Sequence, residues 1–208
     1  MIITYTLIGI TVLTSMYAFN KPEVTRKLIL NPYVVDRRKE YYRLLSSGFV
    51  HAHWPHLLMN MISFYFFGGV VEYIFSALFG NAGPYYFVGF YLLAIVVSDL
   101  PSYFKHRDHP GYNSLGASGG VSAVIFASII FLPLQDICFY FALCMPGFIL
   151  GTLYLIYTYI QGKRGADYIN HDAHLYGALF GLLFCIVMVP RSIPNFFEQV
   201  SQWRMPGF

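Results

Sequence analysis

Two short segments carry side chains that can do covalent chemistry. Ser118 stands in Gly116-Ala117-Ser118-Gly119-Gly120, and His174 stands in His171-Asp172-Ala173-His174 ahead of Gly177 and Gly181. A serine hydroxyl is a weak nucleophile until a neighbouring base takes its proton, and imidazole is the usual base. Acyl chemistry also needs donors aimed at a developing oxyanion. His56 and Asn60 in His51-Ala52-His53-Trp54-Pro55-His56-Leu57-Leu58-Met59-Asn60 are four apart, so on a helix they share one face. With the Ser118 backbone N–H they could supply those donors. His171 competes with His174 as the base, being three residues away on a similar face. The glycine spacing favours His174. Asp172, two residues upstream of His174, points away from it on a helix, so a serine–histidine dyad is the simpler reading. His51, His53 and His56 lack the carboxylate of an H-E-x-x-H site, and no metal or cofactor is expected.

These side chains need elements that bring them together. Of the 208 residues 57% are hydrophobic and only 11% charged, against about 25% charged in an ordinary soluble domain. The bilayer is therefore the natural solvent. Apolar runs at 2–19, 56–79, 83–101, 116–134, 138–160 and 172–190 predict six transmembrane helices. The class is an all-α membrane protein, one domain over 1–208. Residues 1–20 lack a basic signal-peptide start and read as a retained first span. Residues 20–55 form a long charged and aromatic first loop, expected to lie ordered in the interface. Tail residues 191–208 read as interfacial. Cys138, Cys144 and Cys185 fit no metal spacing and read as small buried side chains rather than a disulfide. A net charge of +3, without blocks of like charge, gives no nucleic-acid surface.

Depth and packing sharpen the picture. From Ser118 to Pro133 a helix rises only about 22 Å, short of the ~30 Å hydrocarbon core. Ser118 then lies below the near surface, and the polar stretch before it must dip into a wet pocket. Gly177 and Gly181 form a small-residue face, matched by Gly119, Ala123 and Ala127. Packing these faces places Ser118 and His174 near the same end. Taken alone, the Gly116–Gly120 segment also reads as helix packing. Its match to the soluble G-x-S-x-G elbow fails because no strand precedes it. Glu72, after Gly68-Gly69, is expected to bond loop backbone rather than catalyse.

In combination these motifs resemble the rhomboid family of intramembrane serine proteases. The match is H-x-x-x-x-H-x-x-x-N at His51, His56 and Asn60, G-x-S-G at Gly116, Ser118 and Gly119, and A-H-x-x-G-x-x-x-G at Ala173, His174, Gly177 and Gly181. It extends to Tyr42-Arg43, similar to the family's Trp-Arg, and to Gly68, Gly69 and Glu72. The resemblance implies Ser118 as nucleophile, His174 as base and then acid, and His56 and Asn60 lining the oxyanion hole. It implies that His51 holds the first loop, with Arg43, Glu72, Gly116, Gly119, Gly177 and Gly181 in supporting positions. It implies single-span membrane proteins as substrates, cleaved near one face of the lipid bilayer after a small residue. Some members carry an aromatic four residues after the serine, stacked on the histidine; here Ser122 occupies that place, so the orientation of His174 must come from elsewhere.

The compact six-span form resembles bacterial members and implies an inner-membrane location. The family orientation opens the site outward. It would leave only Arg191 and Arg204 of the 13 Lys and Arg inside, against the positive-inside rule. The motif-based orientation is preferred, because the first loop is expected to be folded protein rather than a free tether. Two other functions compete. A rhomboid-like pseudoprotease would usually have lost Ser118 or His174. A proton-relaying transporter would be expected to show repeated halves, and none is evident.

Overall fold

The computed structural model describes residues 1–139, 143–165 and 169–204. Helix α1 (Ile2–Phe19) is followed by three short helices, α2 (Pro22–Leu28), α3 (Pro32–Arg38) and α4 (Arg43–Ser46). Then come α5 (Trp54–Phe79), α6 (Gly83–His106) and α7 (Ser118–Phe131). A hairpin of β1 (Asp136–Phe139) and β2 (Leu143–Pro146) leads into α8 (Gly147–Arg164), α9 (His171–Met188) and α10 (Ser192–Ser201). Prolines open several of these helices at the first or second position, where a missing N–H costs nothing: Pro22, Pro32, Pro55 and Pro84.

Among the described residues three stretches are long and apolar enough to cross a membrane: Ile2–Phe19, the 53-residue stretch Trp54–His106 and His171–Met188. The second is α5 and α6, folded back on each other at a tight turn over Gly80–Ala82. Apolar side chains such as Tyr73 and Leu183 stand exposed on the outside, the inverse of a soluble protein and the expectation for a bundle solvated by lipid.

Helix α7 occupies the middle. It packs against α5, α6, α8 and α9, with α10 at its far end. Almost all of its side chains are buried. Its 14 residues rise about 21 Å, so it can end inside the bundle, where neighbours rather than lipid meet its termini. Phe64, Phe75, Phe87, Phe90 and Tyr91 fill the layer between α5 and α6 and reach Phe180 and Phe184 on α9. At the opposite end from Ser118, Glu72 accepts from Thr4 N at 2.8 Å, Thr4 Oγ1 at 2.6 Å and Ile3 N at 3.1 Å. A carboxylate there caps the positive end of α1 and locks α1 to α5. Its backbone partners belong to the first turn of α1 rather than to a loop.

Three expectations need correction. The apolar run at 138–160 is not one helix. Its start belongs to the hairpin, in which Asp136–Phe139 pairs antiparallel with Leu143–Pro146, and the helix begins at Gly147; residues 140–142 lie outside the described residues. Hydropathy cannot separate a four-residue strand from a helix segment, and Pro146 drives Met145 extended. Cys138 and Cys144 face each other in this hairpin and are joined as a disulfide, so only Cys185 is a free buried thiol. Helix α6 also runs to His106 rather than stopping near 101, with Pro101 inside it.

Candidate active site

Ser118 is the first residue of α7, half-buried, with Ala117 as N-cap. The first N–H groups of a helix have no acceptor within it, and the positive end of the dipole points the same way. Gly116 enters this helix at φ 118°, a left-handed conformation that favours glycine. A Cβ there would also lie 2.7 Å from His56 Nε2. The His56 imidazole is therefore pressed over the backbone two residues before Ser118.

His174 is one turn into α9, half-buried, while His171 at the first position is buried. Glycines set how closely the two helices meet. A Cβ on Gly177 would collide with the Gly119 carbonyl, and one on Gly181 with the Ala123 carbonyl. On the α7 side, a Cβ on Gly119 would lie 3.3 Å from Ala173 O. The two backbones touch, in register, with Gly119 beside Ala173 and Gly177. The residues adjoining these, Ser118 and His174, start their helices at the same end. Asp172 turns away and pairs with Lys105 at 2.8 Å.

The first turn of α5 carries the remaining candidates. His53 is the N-cap, its Nδ1 accepting from His56 N at 3.2 Å. Asn60 is buried, and its carboxamide donates to the His56 carbonyl at 3.1 Å, which uses one of its two amide protons. His51 is fully buried just before α5 and bridges two elements. Its Nε2 accepts from Ala117 N at 3.3 Å, and Nδ1 lies 2.9 Å from Ser15 Oγ. Ser15 Oγ in turn bonds the Phe49 carbonyl at 3.0 Å. These roles require the neutral tautomer with the proton on Nδ1, donating to Ser15. Burial, and secondarily the nearby His56, push the His51 pKa down to about 3, which keeps it neutral.

Several supporting residues were not singled out from the sequence. Gly116 N donates to Ser47 O at 2.9 Å, and Ser47 Oγ donates to the buried Asp99 Oδ2 at 3.0 Å. Leu30 and Ser114 exchange backbone hydrogen bonds of 3.0 and 2.9 Å. Asn170 caps α9 by accepting from Ala173 N at 3.0 Å, receives Ser102 Oγ at 2.9 Å and donates to Ser114 Oγ at 3.0 Å. The segment before Ser118 is thus held by the first loop, α6 and the cap of α9 together. Asp99, an ionisable residue within an apolar run, and Asn170, a preferred N-cap type, were the available signals. Arg43, buried, donates through Nε to Glu40 Oε2 at 2.6 Å and through Nη1 to the Arg26 and Ile29 carbonyls at 2.8 and 3.0 Å. It closes the first loop on itself. The Arg43 hydrogen bond also holds the Glu40 carboxyl below its usual pKa.

Residues 38–191 match the family model of the Rhomboid domain. The chain is 25% identical over 155 residues to "Rhomboid protease GlpG" of Haemophilus influenzae, covering 74% of this chain and 72% of that protein. It is 26% identical over 152 residues to "RHOMBOID-like protein 12, mitochondrial" of Arabidopsis thaliana, covering 66% of this chain and 43% of the plant protein's length.

Proposed function

Because the chain belongs to the rhomboid family of membrane proteins, we propose that it is an intramembrane serine endopeptidase using Ser118 and His174 as a dyad. The observation that carries this is the backbone contact of α7 with α9, which fixes both residues at one end of the bundle. Helices α1 and α5 to α9 are the six spans, and the first loop lies in the interface. Substrates are single-span membrane proteins whose helix opens near that face. The membrane is a bacterial inner membrane, with the site opening outward.

In the reaction, His174 takes the Ser118 proton as Oγ bonds the scissile carbonyl carbon. The carbonyl oxygen becomes an oxyanion beside the α7 N-terminus, with His56 and Asn60 as further donors. The C–N bond then breaks, and the leaving amine takes the proton from His174. The resulting acyl-Ser118 ester is hydrolysed by a water that His174 deprotonates; the proton returns to Ser118 as the acid leaves. His51 and Arg43 hold the first loop against the Ser118 segment. Gly116, Gly119, Gly177 and Gly181 set the spacing, and Glu72 fixes the far end.

The test is reaction of the detergent-purified protein with a fluorescent fluorophosphonate. Wild type and His171→Ala should label; Ser118→Ala and His174→Ala should not. A folded wild type that stays unlabelled would overturn the reading and favour a non-catalytic, span-binding role.

A further inference from the structure

Position 122 lies one turn beyond Ser118 on α7, on the same face, and holds a serine rather than a large side chain. The room beside it is filled from another helix. Tyr154 on α8 reaches across so that its hydroxyl lies 3.1 Å from Ser122 Oγ. Its ring is near-parallel to the His174 imidazole, with an interplanar angle of 18° and centroids 6.4 Å apart. Phe126, one turn further along α7, lies tilted against the Tyr154 ring with centroids 5.9 Å apart. One turn away on α8, Tyr157 meets His171 edge-on at 5.6 Å. Two tyrosines three apart on α8 therefore face two histidines three apart on α9.

The first of these pairs is anchored on α7. The Tyr154 hydroxyl is tied to α7 through Ser122, and Gly151, three residues earlier, lets α8 close on that helix. A Cβ at Gly151 would lie 3.0 Å from Ile129 Cδ1 and 3.4 Å from Phe126 Cε1. A tyrosine ring tied at its hydroxyl and packed against a phenylalanine is held in its plane. An imidazole alongside such a plane loses rotation about its Cβ–Cγ bond, the torsion that decides where its ring nitrogens point.

We propose that Tyr154 is the positioning residue for His174, fixing the plane of its imidazole through a ring that Ser122 holds in place. Helix α8, which contributes neither member of the dyad, thereby sets the orientation of the base. This rests on the assignment of His174 as base made above.

The experiment measures fluorophosphonate inactivation at several probe concentrations, separating the limiting rate from the half-saturating concentration. Tyr154→Leu should lower the limiting rate about tenfold, since a misaligned base is lost mainly in the chemical step. Its half-saturating concentration should stay within about twofold of wild type. Tyr154→Phe keeps the ring and should restore the rate to within about threefold. Ser122→Ala should match Tyr154→Phe, and the double variant should be no slower than either, because both remove one shared interaction. If Tyr154→Leu does not fold, Tyr154→Met carries the same comparison. A limiting rate unchanged in Tyr154→Leu overturns the proposal. So does a Tyr154→Phe rate as low as that of Tyr154→Leu, which would give the hydroxyl the role claimed for the ring. Wild type left unlabelled while folded would instead remove the base assignment, and the positioning role with it.

Discussion

Lowering the pH from about 7.5 to about 5 should loosen the first loop and the segment before Ser118 through protonation of His51. In the folded protein this imidazole accepts from Ala117 N and donates to Ser15, and its pKa is about 3 against an ordinary 6.5. Once released to water the ring binds a proton below about 6.5, while the folded form refuses it down to about 3. The folded pKa is the lower one, so the stabilisation is complete above 6.5 and drains away as pH falls towards 3. Each unit is about 1.4 kcal/mol, so at pH 5 the loss is about 2 kcal/mol and at pH 4 about 3 kcal/mol. That is a sizeable part of the ~5–15 kcal/mol that holds a typical domain folded. The assay is thermal unfolding in detergent across pH, comparing wild type with His51→Gln. The variant should be less stable near neutrality yet lose about 2 kcal/mol less than wild type between pH 7 and 5. Parallel pH profiles for the two proteins would refute the argument, whatever their absolute stabilities.

Two further outcomes follow from the same packing. Gly177→Val drives a branched side chain into the Gly119 carbonyl, where neither backbone can give way, and should cost at least ~3 kcal/mol of thermal stability and abolish labelling; an active, stable variant would mean the helices are free to separate. Arg43→Gln leaves the Arg26 and Ile29 carbonyls without their charged donor. It should speed trypsin cleavage at Lys27 by about tenfold, the equivalent of one charged hydrogen bond at about 1.4 kcal/mol, and unchanged cleavage would remove Arg43 as the clasp of the first loop.

What could be read from the sequence was whatever is encoded locally or by repetition. The glycines at 119, 177 and 181 foretold a close α7–α9 approach because a missing side chain is visible in the sequence and has one main use between apolar helices. Contacts between distant elements were not legible. Nothing in the local pattern around Tyr154 says that it lies beside His174, because the rotation of α8 about its own axis is set by its packing. The hairpin strands were hidden for a different reason: four apolar residues look alike in a strand and in a helix, and the cysteines at 138 and 144 are opposed only once the two strands pair. Asn170, of a preferred N-cap type, and Asp99, a charge within an apolar run, are visible in the sequence, but their partners lie on distant elements.

The glycine seam between α7 and α9 has a bearing on how such a chain can change over evolutionary time. Where helices meet through side chains, a lost methyl on one can be offset by a gained methyl on the other, and spacing drifts by small steps. Where carbonyl meets α-carbon, as at Gly177 on Gly119 and Gly181 on Ala123, there is nothing left to trim and no room to add. The seam acts as a mechanical datum, a reference surface from which other dimensions are measured. Variation can then accumulate in the hairpin, in the lipid-facing side chains and in the first loop without shifting the distance between the two helices that carry the chemistry.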